Sequence, residues 1–128
     1  MSFLHELGHF VDHQVGHGLG PAWGSGDHEA FGDWRAAASE LPRRLPPDVG
    51  RSRRRYFESV KETWARSYAQ AVLTFSDDRC LQAHLAGLLD MDDVFLWPAA
   101  EFAPVAAEVA LTLGRLGLAR GRPAVAAA

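Results

Sequence analysis

The sequence predicts a mainly α-helical protein with a single domain. Along most of the chain apolar residues recur at spacings of three and four, which is the period of an amphipathic helix. No segment shows a convincing strand pattern, and there is no internal repeat. The chain has 128 residues, of which 48% are hydrophobic, and this is enough to bury one core. We therefore expect one domain over residues 1–118, followed by a disordered tail of small residues at 119–128.

Five helices are predicted, over residues 2–15, 27–40, 54–75, 77–89 and 98–118. Ser2 can cap the first helix and Asp27 the second, because their side-chain oxygens accept hydrogen bonds from free backbone N–H groups. Residues 76–78 end the third helix and cap the fourth, and Pro98 suits the first turn of the fifth. The Gly-rich segment 16–26 is expected to form a mobile loop that borders the functional site.

Four of the five predicted helices have an apolar side that we expect to be buried. On the first helix this side consists of Phe3, Leu4, Leu7, Phe10 and Val11. On the second it consists of Phe31, Trp34, Ala38 and Leu41. On the third it consists of Phe57, Val60, Trp64, Ala65, Tyr68, Ala69, Val72 and Phe75. On the fourth it consists of Cys80, Leu81, Leu85, Leu88 and Leu89, with the cysteine as a small buried hydrophobe.

Residues 5–9, His-Glu-Leu-Gly-His, form the zinc-binding pattern of metallopeptidases on a helix. Residues four apart on a helix differ by about 40° of rotation, so His5 and His9 project from one face and can hold one ion. Glu6 lies about 100° round from His5, beside the metal. Its carboxylate can take a proton from water as that water attacks a carbonyl carbon. The pattern therefore predicts a zinc site with Glu6 as general base.

A catalytic zinc site needs a third protein ligand, and the first helix does not readily supply one. The metzincin subclass places a third His six residues beyond the second, but that position holds Val15 here, and the Gly position holds Asp12. The metzincin interpretation is therefore rejected. His13 lies one further turn along, but three ligands on one straight helix converge poorly on a tetrahedral ion. His13 stays open as a ligand, with a solvated or outer-shell histidine as the alternative.

Glu62, on the third predicted helix, is the better candidate for the third ligand. It is followed by the small residues Ala65 and Ala69, which would let this helix approach the first one closely. A carboxylate that faces a packed interface needs a partner, and a metal ion can provide it. The alternatives are that Glu62 is an ordinary surface carboxylate and that Glu58, one turn earlier, is the ligand.

Together these segments resemble the gluzincins, specifically the lethal-factor-like peptidase branch. In that branch a helix reading His-Glu-x-x-His-x-x-Asp is followed by one reading Glu-x-x-Ala-x-x-Phe, whose Glu is the third zinc ligand. Residues 5–12 match the first element in full, and residues 62–68 match the second with Tyr in place of Phe. The resemblance implies a zincin-like helical core, zinc held by His5, His9 and Glu62, catalysis by Glu6, and a peptide or protein substrate.

The resemblance also suggests roles for Tyr56 and Asp12. In the branch, a Tyr a few residues before the ligand Glu helps to stabilise the oxyanion, and Tyr56 lies one residue from that offset, with packing as its alternative role. Asp12 holds the family's Asp position, where it either orients a ligand imidazole or the Glu62 helix, or is a surface residue. Family members carry substrate-aligning strands before the first His, where this chain has four residues. We expect those strands to be missing.

Composition bears on partners and location. The net charge of −3 argues against a nucleic-acid-binding protein. The Arg-rich stretch 43–55 is expected to be a solvated loop, with binding of an acidic substrate or nucleic acid as the alternative. The single cysteine excludes an internal disulfide, and no signal peptide or membrane span is visible, so we expect a cytoplasmic protein. Secretion stays open if sequence upstream is missing.

Two interpretations from other classes stay open as well. In the first, the chain is a catalytically inactive zinc-binding remnant that acts as a structural or interaction module. In the second, it is an all-α regulatory protein whose His-Glu-x-x-His segment arose by chance. The sequence does not indicate an oligomeric state.

Overall fold

The computed structural model describes residues 2–17 and 23–118, so the predicted tail at 119–128 lies outside the described residues. The described helices, in chain order, are α1 (Ser2–His17), α2 (Gly24–Asp27), a short 3-10 helix (Glu29–Phe31), α3 (Gly32–Ser39), α4 (Arg51–Phe57), α5 (Val60–Thr74), α6 (Arg79–Asp90) and α7 (Ala99–Arg115). No strand occurs within these ranges, and the mainly α prediction is confirmed. None of these helices has the length and apolar content needed to cross a membrane.

The predicted helix over 54–75 is in fact two helices. α4 ends at Phe57, and α5 begins at Val60 after Ser59, whose backbone is extended with φ −66° and ψ 149°. The apolar spacing hides this break, because Phe57, Val60 and Trp64 remain three and four residues apart across it. Ser is a favoured residue just before a helix, so Ser59 was the one local signal of the new start.

The predicted helix over 27–40 begins differently. Asp27 is the last residue of α2 and not a cap. His28 takes the capping role instead, since its Nδ1 accepts a hydrogen bond from the Ala30 N–H at 3.0 Å and starts the 3-10 helix. The predicted loop 16–26 is partly helical, because α1 continues to His17 and α2 begins at Gly24, while residues 18–22 are outside the described part.

The core is built around α5, which contacts α1, α6 and α7. Trp64, on α5, is fully buried and meets Phe31 and Trp34 edge to face, with ring centroids 4.7 and 5.1 Å apart. Such aromatic pairs contribute about 0.5–1.5 kcal/mol each beyond the area they bury. α7 completes this core with Phe102, Val105, Ala106 and Val109.

The buried face of α1 is not the apolar side that the sequence predicted. Phe3 and Phe10 are 77% and 59% exposed, and the buried positions are instead Gly8, Asp12 and Gly16, spaced by four. Gly8 lets the backbones of α1 and α5 touch, because a Cβ at this position would lie 2.9 Å from Ala65 Cα. The prediction was wrong for Phe3 and Phe10. It is confirmed in part for Val11, which is half-buried and packs against the core.

α6 is peripheral, and the prediction that its apolar side is buried was wrong. None of its residues is fully buried; Leu81 is 39% exposed and Cys80 is also exposed. The predicted cap is confirmed, because the Asp78 carboxylate accepts hydrogen bonds from the N–H groups of Cys80 and Leu81 at 2.8 and 3.0 Å. This cap fixes the start of a helix that packs against the core with only half-buried leucines.

The Arg-rich stretch 43–55 is not simply a solvated loop. Its second half forms α4, and Arg44 donates hydrogen bonds to the carbonyl oxygens of Asp93 and Leu96 and to the Asp92 carboxylate. Arg44 therefore ties this stretch to the segment that joins α6 to α7.

Candidate metal centre

Three predicted ligands meet between α1 and α5. His5 Nε2 lies 3.2 Å from Glu62 Oε2, and His9 Nε2 lies 2.8 Å from Glu62 Oε1. One ligand atom from each of the three residues lies within 4.8 Å of the other two. Ligand bonds of about 2.0–2.2 Å to a tetrahedral ion would separate the ligand atoms by about 3.4 Å. The group therefore has the dimensions of a site that can hold a metal ion, whose identity the geometry leaves open.

The contacts within this group fit a shared ion better than they fit hydrogen bonds. Glu62 is 3% exposed, and its Oε1 accepts no hydrogen bond from the described residues although His9 Nε2 is at hydrogen-bonding distance. His9 Nε2 and Glu62 Oε1 therefore lie close together without a hydrogen bond between them. A buried carboxylate oxygen that accepts no hydrogen bond costs free energy, and a cation would supply the missing partner of Oε1.

Two small residues set the distance between the ligand-bearing helices. In the sequence Gly8 lies between His5 and His9, and Ala65 lies one turn after Glu62. Their backbones are in contact, and Trp64 Nε1 donates a hydrogen bond to the Gly8 carbonyl at 3.1 Å. The predicted close approach of the two helices next to Glu62 is therefore present. Glu62 also lies in the first turn of α5, where the helix dipole favours a negative charge.

The environment of His5 favours the form of histidine that binds metals. Burial lowers the pKa of His5, while the negative charges of Glu62 and Glu6 act in the opposite direction. A lowered pKa keeps the imidazole neutral at neutral pH, and only a neutral imidazole has a free nitrogen lone pair for a metal ion.

Glu6 and Tyr56 lie beside the group but supply none of its ligand atoms. Glu6 is exposed on α1, and its charge acts on both His5 and Tyr56. A hydrogen bond to the Glu62 carboxylate, together with partial burial, raises the pKa of Tyr56 to about 12. Tyr56 is 54% exposed, so packing in the core is not its role. Its role toward an oxyanion stays a prediction.

The other two candidate ligands lie elsewhere. His13 is exposed, with its ring 6.0 Å from that of His17 and 5.6 Å from that of Trp23. Glu58 lies in the turn before α5, where its carboxylate faces Arg54 at 3.6 Å. The structure thus separates both residues from the metal-binding group, and their candidacy as ligands was wrong.

Asp12 has a partner that the sequence did not predict. It is fully buried, and its carboxylate accepts hydrogen bonds from the backbone N–H and the hydroxyl of Ser25 at 2.5 and 2.6 Å. The surface interpretation was wrong, and the hydrogen bonds go to α2 rather than to a ligand imidazole or α5. Asp12 therefore fixes α2 against the helix that carries the histidines. Burial raises the pKa of Asp12, and the two hydrogen bonds from Ser25 oppose that effect.

Trp23 is a further neighbour of the site that the sequence did not single out. Its ring centroid lies 5.6 Å from that of His9, and Lys61 Nζ lies 5.0 Å from the ring. The Trp23 ring therefore covers one side of the His9 imidazole. It stands in a Gly-rich segment without periodicity, so no pattern indicated that it would be close to the site.

We expect Glu62→Ala to weaken binding of a divalent metal far more than Glu58→Ala does. Only Glu62 places its carboxylate within reach of both histidines. The loss should exceed the roughly 10–100-fold that is typical when an outer partner of a ligand is removed. Titration of both variants and the wild type against a competing chelator measures the difference, and equal affinities in the two variants would exclude Glu62 as a ligand.

Comparisons with protein-family models, with curated proteins and with solved structures found no match to this chain. The likeness to gluzincins therefore depends on residues 5–12 and 62–68 alone. Any function has to be inferred from the chemistry of the site itself.

Proposed function

We propose that this protein is a zinc-dependent peptidase with a zincin-like helical core, in which His5, His9 and Glu62 hold the metal. The observation that carries the proposal is the convergence of two imidazoles and one buried carboxylate between α1 and α5. Two His and one Glu form a ligand set of catalytic zinc, which keeps its fourth position open for water or substrate. A purely structural zinc site is usually closed by four protein ligands, often cysteines.

The residues around the ligands suit peptide hydrolysis. A bound zinc ion would supply a Lewis acid that polarises a carbonyl and makes water more acidic. Glu6, exposed next to His5, would accept the proton of the attacking water and later deliver it to the departing amine nitrogen. The Tyr56 hydroxyl, which lies against Glu62, would donate a hydrogen bond to the carbonyl oxygen as that oxygen gains negative charge. A peptide or protein is the substrate in this proposal.

Two observations favour a second candidate, a catalytically inactive zinc-binding module. The described residues include no strand against which a peptide could be aligned. In addition, a groove of about 330 Å³ elsewhere on the molecule is lined by none of the three ligands. In this case the metal would hold α1 and α5 together, and the protein would act through its surface.

Both candidate functions require a bound zinc ion, and metal analysis of the purified protein tests this requirement. We expect about one zinc ion per chain in the wild type, a large loss of zinc in His9→Ala, and little change in His13→Ala, because His13 is outside the group. Peptide-library cleavage by the zinc-loaded wild type, with and without a chelator, then separates the two candidates. Zinc content in His9→Ala equal to that of the wild type would contradict both.

A further inference from the structure

A groove of about 330 Å³ is separate from the candidate metal centre, since none of the site residues named above lines it. Its walls come from α3, from residues 41–45, from the α4–α5 turn and from residues 94–97. Most of the surface is apolar, and the aromatic side chains that line it are Trp34, Phe57 and Trp97. This volume falls within the range of small-molecule sites in proteins.

The charges that line the groove are mainly positive. Four arginines line it, Arg35, Arg43, Arg44 and Arg66, against a single acidic residue, Glu58. The chain as a whole has a net charge of −3, so this excess is a local feature. Arg44 pairs with Asp92, and Arg43 lies 4.0 Å from Glu58. For the two remaining arginines, no carboxylate of the described residues lies within ion-pair distance.

Arg66 is the most deeply buried of the four arginines that line the groove. It is 6% exposed, and its guanidinium carbon lies 4.8 Å from the Phe57 ring centroid and 4.3 Å from that of Trp97. Its Nε and Nη2 donate to the carbonyls of Phe95 and Val94, at 3.2 and 3.0 Å. The negative charges of Glu62 and Asp93 act on Arg66, but no described carboxylate forms a salt bridge with it. An anion in the groove would supply that direct partner.

We propose that the groove binds an organic carboxylate with an apolar body. A guanidinium pairs with the two oxygens of a carboxylate through parallel hydrogen bonds, and the aromatic walls accommodate the apolar part. The rings of Trp34 and Trp97 are two of the aromatic walls available to that apolar part. This proposal does not depend on zinc or on peptide hydrolysis.

Binding of 4-phenylbutyrate tests the proposal directly on the wild-type protein. Calorimetry should show binding, and the neutral 4-phenylbutyramide, which has the same apolar body, should bind at least about tenfold more weakly, since hydrogen bonds to charged groups are the stronger ones. Two tryptophans line the groove, so intrinsic fluorescence gives a second readout. Equal affinities for acid and amide, or no binding of the acid, would overturn the proposal.

Variants of Arg35 locate the site. Arg35→Gln should weaken phenylbutyrate binding about tenfold. Arg35→Lys should weaken it less, because the charge is kept while the parallel hydrogen bonds of the guanidinium are lost. The matched control is Arg53→Gln, an exposed arginine of α4 that does not line the groove and should leave affinity unchanged. An equal loss in Arg53→Gln would overturn the assignment to this groove. Arg35 also donates to the Ser25 and His28 carbonyls, so the acid and amide comparison stands as the test should Arg35→Gln fail to fold.

Discussion

Glu6→Gln is expected to slow peptide cleavage by about a hundredfold or more while zinc content and the fold stay unchanged. Glu6 supplies no atom to the metal-binding group, and its side chain is exposed on α1, so the substitution removes neither a ligand nor a core contact. Gln keeps the size and polarity of Glu but cannot accept a proton from the attacking water. The loss should therefore appear in the chemical step and not in metal affinity.

Cleavage of a peptide library and zinc content should be measured on the same preparations. Glu101→Gln is a suitable control, because Glu101 is an exposed acid in the first turn of α7, away from the site. A zinc-loaded Glu6→Gln protein that cleaves as fast as the wild type would refute the general-base mechanism. A wild type that holds zinc and cleaves no peptide would instead favour the inactive binding module.

Helical periodicity was enough to predict the fold class but not the packing of individual helices. The apolar spacing correctly indicated helices, and the buried Phe31 and Trp34 of the second predicted helix were identified in advance. On α1 the apolar spacing missed the fully buried positions Gly8, Asp12 and Gly16, which carry little or no apolar signal. Hydrophobicity reports what a helix gains by burial, whereas close packing of two backbones depends on the absence of side chains.

The three residues that could hold a metal ion were also predictable only in part from local sequence. His5 and His9 could be paired from their spacing on a helix, because a four-residue repeat fixes their relative direction. Glu62 needed a second motif, since nothing local shows which distant carboxylate will face the histidines. Ser25 could not be predicted as the partner of Asp12, because it lies in a Gly-rich segment whose path is decided by tertiary contacts.

Gly8→Ala is expected to damage both stability and metal binding, although alanine favours helices over glycine by about 1 kcal/mol. An added Cβ would lie 2.9 Å from Ala65 Cα and 3.2 Å from both Ala65 O and Tyr68 Cβ. Two of these atoms belong to the backbone, so no side-chain rotation can relieve the clash, and α1 must move away from α5. Overpacking of this kind costs about 1–3 kcal/mol. The displacement would also weaken the hydrogen bond from Trp64 to the Gly8 carbonyl.

The matched control for this clash is Gly87→Ala. Gly87 is also inside a helix, but a Cβ there meets nothing within 4 Å, so alanine should stabilise α6 by up to about 1 kcal/mol. Denaturant unfolding of both variants, with and without zinc, gives the free energies of unfolding, and a chelator competition gives the zinc affinities. We expect Gly8→Ala to unfold more easily and to bind zinc more weakly, because the helix shift moves His5 and His9 away from Glu62. If Gly8→Ala is stabilised as Gly87→Ala is and binds zinc as tightly as the wild type, the contact between Gly8 and Ala65 does not set the geometry of the site.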